Sequence, residues 1–379
     1  MKISTLSTTD ENFDPTLLAQ ADFVAGHGNV LSDTSQLQLD QLKGQFHGAS
    51  SCLGAMTQSG VTERVSFFVV EDPHGAYGTS AEAFASDPAA SACAATLSAL
   101  RHADRVGETP DLIWVSSTPG FEEAVLRGIE SVVGPDVAII GGSAADNAVS
   151  GDWFVFDKLQ TLAAGVVVSV MFPSRPVSFA YHNGYAPTES GGTVTRVDGR
   201  RVCEIDHRPA LEVYQAWTNY AEGLSVPQEA SESILSQSTL WPLGRKVADM
   251  DGVSSYLLAH PAVAHADGSI DLFASVEEGE FLTQMSGTKA SLIDRAGRVA
   301  TLARAAGRME AEPIAGALMV YCGGCMLSVR DRLDEVVDGV SNALDGAPFL
   351  GTFTFGEQGQ ILGAGNRHGN LMISCIVFG

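Results

Sequence analysis

The alternation of apolar and polar positions predicts one order of elements three times along the chain: a strand, a helix and two further strands. The middle unit has them at residues 111–120, 121–133, 137–147 and 163–172. The first unit has them at 21–29, 37–43, 46–55 and 65–72, and the third at 315–322, 328–344, 349–355 and 370–378. Because the units share this order at low sequence identity, we expect a degenerate structural repeat.

Strands joined by short turns must pair antiparallel, so the sheets are expected to be mixed. The predicted fold class is therefore α/β (α+β), with repeated strand–helix–strand–strand units that form mixed, partly antiparallel sheets covered by helices. Residues 177–313 differ in character, with short strands, an apolar helix at 210–217 and a helix that ends near 308.

The polar stretch Ala221–Ser233 is typical of a solvated linker and suggests a boundary between two domains. We predict an N-terminal extension at 1–20, a first domain at 21–220, a linker at 221–240 and a second domain at 241–379.

The composition and charge of the chain exclude some classes of function. The chain has 379 residues, of which 45% are apolar and 18% charged, which is typical of a folded globule. The 22 Lys and Arg against 45 Asp and Glu give a formal net charge of −23. Such an acidic surface repels nucleic acid and anionic lipid, so neither is expected as a partner.

Targeting and redox signals point to the cytoplasm. The first residues lack the apolar segment of a secretory signal, and no stretch approaches the length of a membrane span. The six cysteines are mostly isolated and do not form a disulfide pattern. A cytoplasmic protein with reduced thiols is the simplest interpretation.

The C-terminal unit contains the side chains that are best suited to catalysis or ligand binding. Cys322, Cys325, Glu357 and His368 each lie where an apolar strand meets a glycine-rich turn. A sheet fixes the position of such residues and a loop leaves them accessible, so this is a favourable place for a site.

The CGGC segment at Cys322–Cys325 follows a strand and precedes a helix. A thiol at a helix N-terminus feels the positive end of the dipole, which is expected to lower its pKa. Three interpretations stay open: a tight loop that lines a ligand, a redox switch that uses both cysteines, and a metal site. The ligand loop is preferred.

Polar groups at other strand ends are further candidates. Glu357 either anchors a ligand or caps its own turn, and Asp146 follows a Gly-Gly-Ser segment in a similar turn. His368 competes with several other histidines, among them His27, His47, His182 and His260. The complete set of predicted ligand-binding residues is Ser50, Ser51, Ser143, Asp146, Cys322, Glu357, His368 and Asn370.

An ordered series of segments resembles the FIST family, a two-part sensory module with an N-terminal and a C-terminal domain. In the first half these are GASSCLGA (48–55), GGSAADN (141–147) and VTRVDGRRVCEIDHRPALEVY (194–214). In the second half they are EEGEFLTQM (277–285), YCGGC (321–325), GTFTFGEQG (351–359) and RHGNLMIS (367–374).

The resemblance implies a sensor of small ligands, such as a metabolite or an amino-acid-like molecule, that acts through a signalling partner. Histidine kinases, cyclic-nucleotide enzymes and chemoreceptors are the partners that it implies. One branch of the family binds haem and responds to nitric oxide, and His368 would be the preferred axial ligand if haem binds here. The second functional class is a thiol-dependent enzyme or redox switch that uses Cys322 and Cys325. A sensor with no catalytic residue is the preferred interpretation.

Overall fold

In a computed structural model of the chain, residues 1–8, 15–29, 42–219, 229–250 and 252–379 are described, together with positions 39, 224 and 227. The helices are α1 Pro88–His102, α2 Glu122–Val133, α3 Ala210–Trp217, α4 Leu235–Ser238, α5 Lys289–Ala306, α6 Gly323–Ser328 and α7 Leu333–Ala343, with 3₁₀ turns at Pro15–Leu18 and Arg330–Arg332. None of the helices within these ranges is long and apolar enough to cross a membrane.

The strands of the first half are β1 Lys2–Ser7, β2 Phe23–Gly28, β3 Gln45–Ser50, β4 Ala55–Thr57, β5 Gly60–Thr62, β6 Ser66–Glu71, β7 Ala76–Ala83, β8 Leu112–Ser117, β9 Ile139–Ser143, β10 Val155–Phe156, β11 Thr161–Leu162, β12 Gly165–Phe172 and β13 Val177–Asn183. Those of the second half are β14 Ala186–Asp198, β15 Arg201–Ile205, β16 Arg208–Pro209, β17 Ser231–Ser233, β18 Leu243–Met250, β19 Val253–Ala259, β20 Pro261–His265, β21 Ile270–Leu272, β22 Phe281–Ser286, β23 Gly316–Cys322, β24 Phe349–Thr354, β25 Glu357–Ile361, β26 Gly365–Gly369 and β27 Met372–Phe378.

In each of three sheets, four strands come from one unit and are arranged in the same order, which confirms the predicted repeat. They are β1-β6-β2-β3, β7-β12-β8-β9 and β13-β27-β23-β24. In each sheet the last two strands are parallel and the other pairings are antiparallel. The prediction of mixed α/β sheets is therefore confirmed. The pattern had missed the strand that opens each unit, β1, β7 and β13, and helix α1.

Each unit extends the sheet of a neighbouring unit with a hairpin. The hairpin β4–β5 pairs with β24, β10–β11 pairs with β3, and β25–β26 pairs with β9. Each sheet thereby gains two strands from another unit, and the three units close into a ring. The paired edges leave β3, β9 and β24 without open hydrogen-bonding groups at these positions.

Glycines allow the hairpins to approach closely. Phe156 lies opposite Gly48, and Met56 lies opposite Gly351. A Cβ atom at Gly48 would lie 2.2 Å from the ring of Phe156, and one at Gly351 would lie 2.5 Å from the methyl group of Met56. A side chain at either position would therefore force the hairpin off its sheet.

A separate sheet interrupts the third unit between β13 and α5. This insert, residues 184–288, holds β14 to β22, α3 and α4, and its own apolar core. The helix predicted at 210–217 is α3, and the helix predicted to end near 308 is α5. In α5 the Thr288 hydroxyl accepts a hydrogen bond from the Ser291 N–H, which is a capping box.

Other predicted helices differ in detail. The helix at 121–133 is α2, but the one at 328–344 is divided into α6, a 3₁₀ turn and α7. The helix predicted at 37–43 lies mostly outside the described residues. Positions 221–223, 225, 226 and 228 of the predicted linker at 221–240 also lie outside the described residues, and the rest of it includes β17 and α4 of the insert. The predicted domain boundaries stay a prediction.

The Ser51 hydroxyl joins the first unit to the third. It donates to Gly54 O and accepts from the Phe353 N–H at 2.8 Å, and the side chain is fully buried. In Ser51→Ala the buried Phe353 N–H loses its acceptor, so the free energy of unfolding should fall by about 1–3 kcal/mol. Chemical denaturation measures this change, with exposed Ser59→Ala as the control. Equal free energies of unfolding for the two variants would contradict the conclusion that the Ser51 hydroxyl stabilises the contact between the first and third units.

Candidate functional site

A cavity of about 450 Å³ lies between the insert and the third unit. We name it the interface cavity; its lining residues are Val149, Leu235, Ser236, Thr239, Leu240, His260, Phe273, Lys289, Cys322, Gly324, Leu327, Ser328, Phe355 and Asn370. The lining is largely apolar, with a few polar groups and one lysine, which is the usual composition of a small-molecule site.

The carboxyl ends of the third unit's parallel strands supply one wall. Cys322 ends β23 and Gly324 lies in the first turn of α6, while Phe355 directly follows β24. The insert supplies the facing wall with α4, with His260 between β19 and β20, and with Phe273 after β21. The cavity therefore exists only where the insert packs against the repeat.

Asn370 is the buried polar group that lacks a partner in this cavity. Its N–H donates to Leu258 O at 2.9 Å, and its Oδ1 accepts from the His260 N–H at 3.2 Å. Its Nδ2 is buried and has no hydrogen-bond partner among the described residues. A buried amide left without an acceptor costs free energy, so this group is ready to donate to a ligand.

His260 is neutral at physiological pH. Burial lowers its pKa to about 4, and its Nε2 lies 3.2 Å from Leu235 O and 3.4 Å from the Thr239 hydroxyl. It was one of several competing histidines in the sequence, and only the fold brings it to Asn370.

Cys322 does not have the lowered pKa expected for a thiol at a helix N-terminus. Burial, followed by the neighbouring Cys325, raises the pKa of Cys322 well above its ordinary value. The helix α6 has only six residues, so its dipole does not offset the loss of water. Both thiols are free in this structure.

Glu357 is fully buried and does not line the cavity. Its Oε1 accepts from the Thr354 hydroxyl at 2.8 Å and its Oε2 from the Met372 N–H at 3.0 Å. Burial, followed by nearby Cys322, raises the pKa of Glu357 well above its ordinary value. The geometry favours the turn-capping interpretation over the ligand anchor.

His368 belongs to a different cluster, where the insert is tied to the second unit. Its Nδ1 lies 3.0 Å from Glu123 Oε1, and Arg200 of the insert reaches both Glu122 and Glu123 at 2.8 Å. Burial alone would raise the pKa of Glu123, but His368 and Arg200 hold it far below its ordinary value. We name Glu122, Glu123, Arg200 and His368 the insert clasp.

The surroundings of His368 do not fit an axial haem ligand. Its side chain is fully buried, and a Cβ atom at Gly356 would lie 2.6 Å from its Nε2. The Nε2 has no hydrogen-bond partner among the described residues, but Gly356 lies directly against it, and the Nδ1 contacts Glu123.

The remaining predicted residues lie at junctions of the repeat and outside the cavity lining. Ser50 Oγ accepts from the Phe154 N–H at 3.0 Å, and the Ser143 hydroxyl donates to Glu122 Oε1 at 2.8 Å. Asp146 accepts from the N–H groups of its own loop, including Ser150 at 2.9 Å and Gly151 at 2.8 Å. Of the eight predicted ligand-binding residues, the fold places Cys322 and Asn370 at the interface cavity. That they bind a ligand stays a prediction.

Four lining groups from the insert and α5 had no signal in the sequence: Thr239, Leu240, Phe273 and Lys289. They lie far along the chain from the strand ends that carry the predicted ligand-binding residues, and none of the four belongs to a recognisable motif. Only the packing of the insert brings them to Cys322 and Asn370.

Because the pKa of Glu357 is raised in the folded chain, we expect the free energy of unfolding to depend on pH. Its ordinary value is 4.5, so above that pH the folded chain retains a proton that the unfolded chain has lost. The free energy of unfolding should therefore fall as pH rises from about 5 to about 7. In Glu357→Gln, which has no titrating group, this part of the fall should disappear. Urea denaturation at several pH values measures it, with exposed Glu232→Gln as the control, and parallel curves for Glu357→Gln and the parent would contradict it.

Comparison with known proteins adds the following. The model of the FIST N domain matches residues 29–208, and that of the FIST C domain matches residues 210–360. An uncharacterized protein of Methanocaldococcus jannaschii is 32% identical over 78 residues, which cover 21% of this chain and 15% of that protein. The chain thus spans a small part of that relative's length.

A solved structure, cyanuric acid hydrolase from A. caulinodans, is similar at 12% identity and a TM-score of 0.27. The similarity covers 48% of this chain and 70% of that one, and at this level it carries no argument about function. The two family models together span most of the chain and meet within the insert, near the start of α3. The chain therefore belongs to the FIST family, whose domains are associated with the sensing of small ligands in signal transduction.

Proposed function

We propose that this chain is a small-molecule sensor whose ligand occupies the interface cavity. The observation that carries the proposal is Asn370, a lining residue of an apolar cavity of about 450 Å³, whose buried Nδ2 has no hydrogen-bond partner among the described residues. A ligand that supplies an acceptor there would satisfy the amide and cover the apolar wall in one step.

The lining defines the class of ligand. Leu235, Leu240 and Phe273 suit an apolar body, while Asn370 and Lys289 suit a carboxylate or carbonyl oxygen. An amino-acid-like molecule or a small carboxylic metabolite has this combination. An anchor for an ammonium group at Glu357 is disfavoured, because that carboxyl is buried behind Cys322 and favours the neutral form.

The position of the cavity supplies a mechanism for signalling. Its two walls belong to the insert and to the repeat, so a ligand that contacts both favours one arrangement of the two over others. The shift in population is set by the difference in ligand affinity between the arrangements.

The output is proposed to pass to a separate signalling protein in the cytoplasm, such as a histidine kinase, a cyclic-nucleotide enzyme or a chemoreceptor. The support is the association of the family with signal transduction. We propose that such a partner contacts the boundary between the insert and the repeat.

Asn370→Asp tests the site. It preserves the oxygen that accepts from His260 and replaces the free donor by an acceptor, which would repel a ligand carboxylate. Affinity for the ligand should fall roughly ten- to a hundredfold, the range for a lost hydrogen bond to a charged group. Native mass spectrometry of the purified protein, after incubation with a metabolite extract, should show a bound small molecule for the parent and not for the variant.

Asn342→Asp, the same change on an exposed part of α7, is the matched control and should retain the ligand. Retention of the same ligand by Asn370→Asp at parental affinity would refute the assignment of the cavity.

A thiol-dependent enzyme or redox switch at Cys322 is the second function to test. Such chemistry needs the thiolate, and the raised pKa of Cys322 keeps this thiol protonated at neutral pH. Alkylation of Cys322 by iodoacetamide should therefore be slow at pH 7 and rise only above the ordinary thiol value of 9.0. Peptide mass spectrometry gives the rates, with half-buried Cys93 as the internal reference. Faster alkylation of Cys322 than of Cys93 at pH 7 would favour the thiol enzyme.

A further inference from the structure

A second pocket lies where the chain crosses between the repeat and the insert. We name it the neck pocket; it has a volume of about 550 Å³. Its walls are the outgoing crossing at 183–186, the returning crossing at Ser286 and Thr288, and the first half of α5. It is a different pocket from the interface cavity and shares none of its lining residues.

Two arginines of α5 lie in this pocket, and neither forms an ion pair among the described residues. Arg295 and Arg298 are three residues apart, which places them on one face of the helix. Among the described residues, neither forms an ion pair within 4.0 Å, and the buried Nε of Arg295 has no hydrogen-bond partner. The exposed Asp294 also lines the pocket but pairs with neither arginine.

The two arginines lie close together in a chain with a formal charge of −23 and 22 Lys and Arg residues. Burial, followed by the charge of Arg298, lowers the pKa of Arg295. Two like charges one helical turn apart destabilise the folded chain unless an anion lies between them. The charges are therefore retained at a cost that a bound anion would remove.

The hydroxyls of the returning crossing complete a donor set. Ser286 and Thr288 line the same pocket as the two guanidinium groups. The Thr288 oxygen accepts from the Ser291 N–H, which leaves its own hydrogen free to donate. Guanidinium groups bind phosphate and carboxylate alike, and the two nearby hydroxyls add donors for the further oxygens that a phosphate carries.

We propose that the neck pocket binds a phosphate group, either free phosphate or the phosphate of a small phosphorylated metabolite, between Arg295 and Arg298. The bound group would tie α5 of the repeat to both crossings of the insert. Tyr185 connects this pocket to the interface cavity, since it lines the former and its hydroxyl donates at 2.8 Å to Thr239 O at the latter. The proposal does not depend on a ligand in the interface cavity.

Isothermal titration of the full chain with inorganic phosphate tests the proposal. The parent should show one saturable class of site, with affinity that falls as salt is raised. Arg295→Gln and Arg298→Gln should each weaken phosphate binding about tenfold or more, because each removes a charge-assisted hydrogen bond. Arg127→Gln, on an exposed position of α2, is the matched control and should leave binding unchanged.

Two further arms make the result decisive. Acetate at equal ionic strength should bind at least about tenfold more weakly than phosphate, since it lacks the tetrahedral oxygens. A phosphomonoester such as glycerol phosphate that binds more tightly than inorganic phosphate identifies a phosphorylated metabolite, whereas equal affinity identifies free phosphate. The proposal is overturned if no saturable binding occurs, if Arg298→Gln behaves like Arg127→Gln, or if acetate binds as tightly as phosphate.

Discussion

The exchange of hairpins between units is the constraint on which the rest of the structure depends. Each unit ends its pair of parallel strands with an open edge, and a hairpin from another unit covers that edge. The strand ends of all three units are thereby forced together at one place. Close approach explains the small residues there, since Gly48 and Gly351 leave no room for a Cβ atom beneath Phe156 and Met56.

This convergence also engages several of the side chains predicted to bind a ligand. The hydroxyls of Ser51 and Ser143 form hydrogen bonds at the junctions, and the carboxylate of Asp146 accepts from N–H groups of its own loop. A side chain that already makes such bonds is costly to recruit for a ligand, because the junction would lose them. The site that we propose lies instead at the boundary with the insert, where the Nδ2 of Asn370 has no hydrogen-bond partner among the described residues.

Charged side chains lie at two places where the insert meets the repeat. At the insert clasp, Arg200 pairs with both Glu122 and Glu123, and His368 adds a hydrogen bond to Glu123. At the neck pocket, Arg295 and Arg298 have no such compensation among the described residues. At the clasp the opposite charges lie within the chain, whereas at the neck pocket we propose that a bound anion supplies them. The interface cavity lies between the same two bodies, so both contacts bear on its shape.

The sequence alone determined the local elements and their repetition. Apolar periodicity identified α2, α3, β8, β23 and β27, because buried faces impose a period on each element before any tertiary contact forms. The position of Cys322 at the end of a strand was also predicted correctly, whereas Glu357 begins β25 and His368 lies within β26, two strands that the pattern had not predicted. The surroundings of all three residues were not predicted. Whether Glu357 faces a ligand or caps a turn, and whether Cys322 loses or retains its proton, depends on burial by residues distant in sequence. The hairpin exchange, the insert wall with His260 and Phe273, and the neck between Arg295 and the two crossings arise only from tertiary packing. No local pattern records which edge a hairpin covers, since its hydrogen-bonding groups are the same for every partner strand.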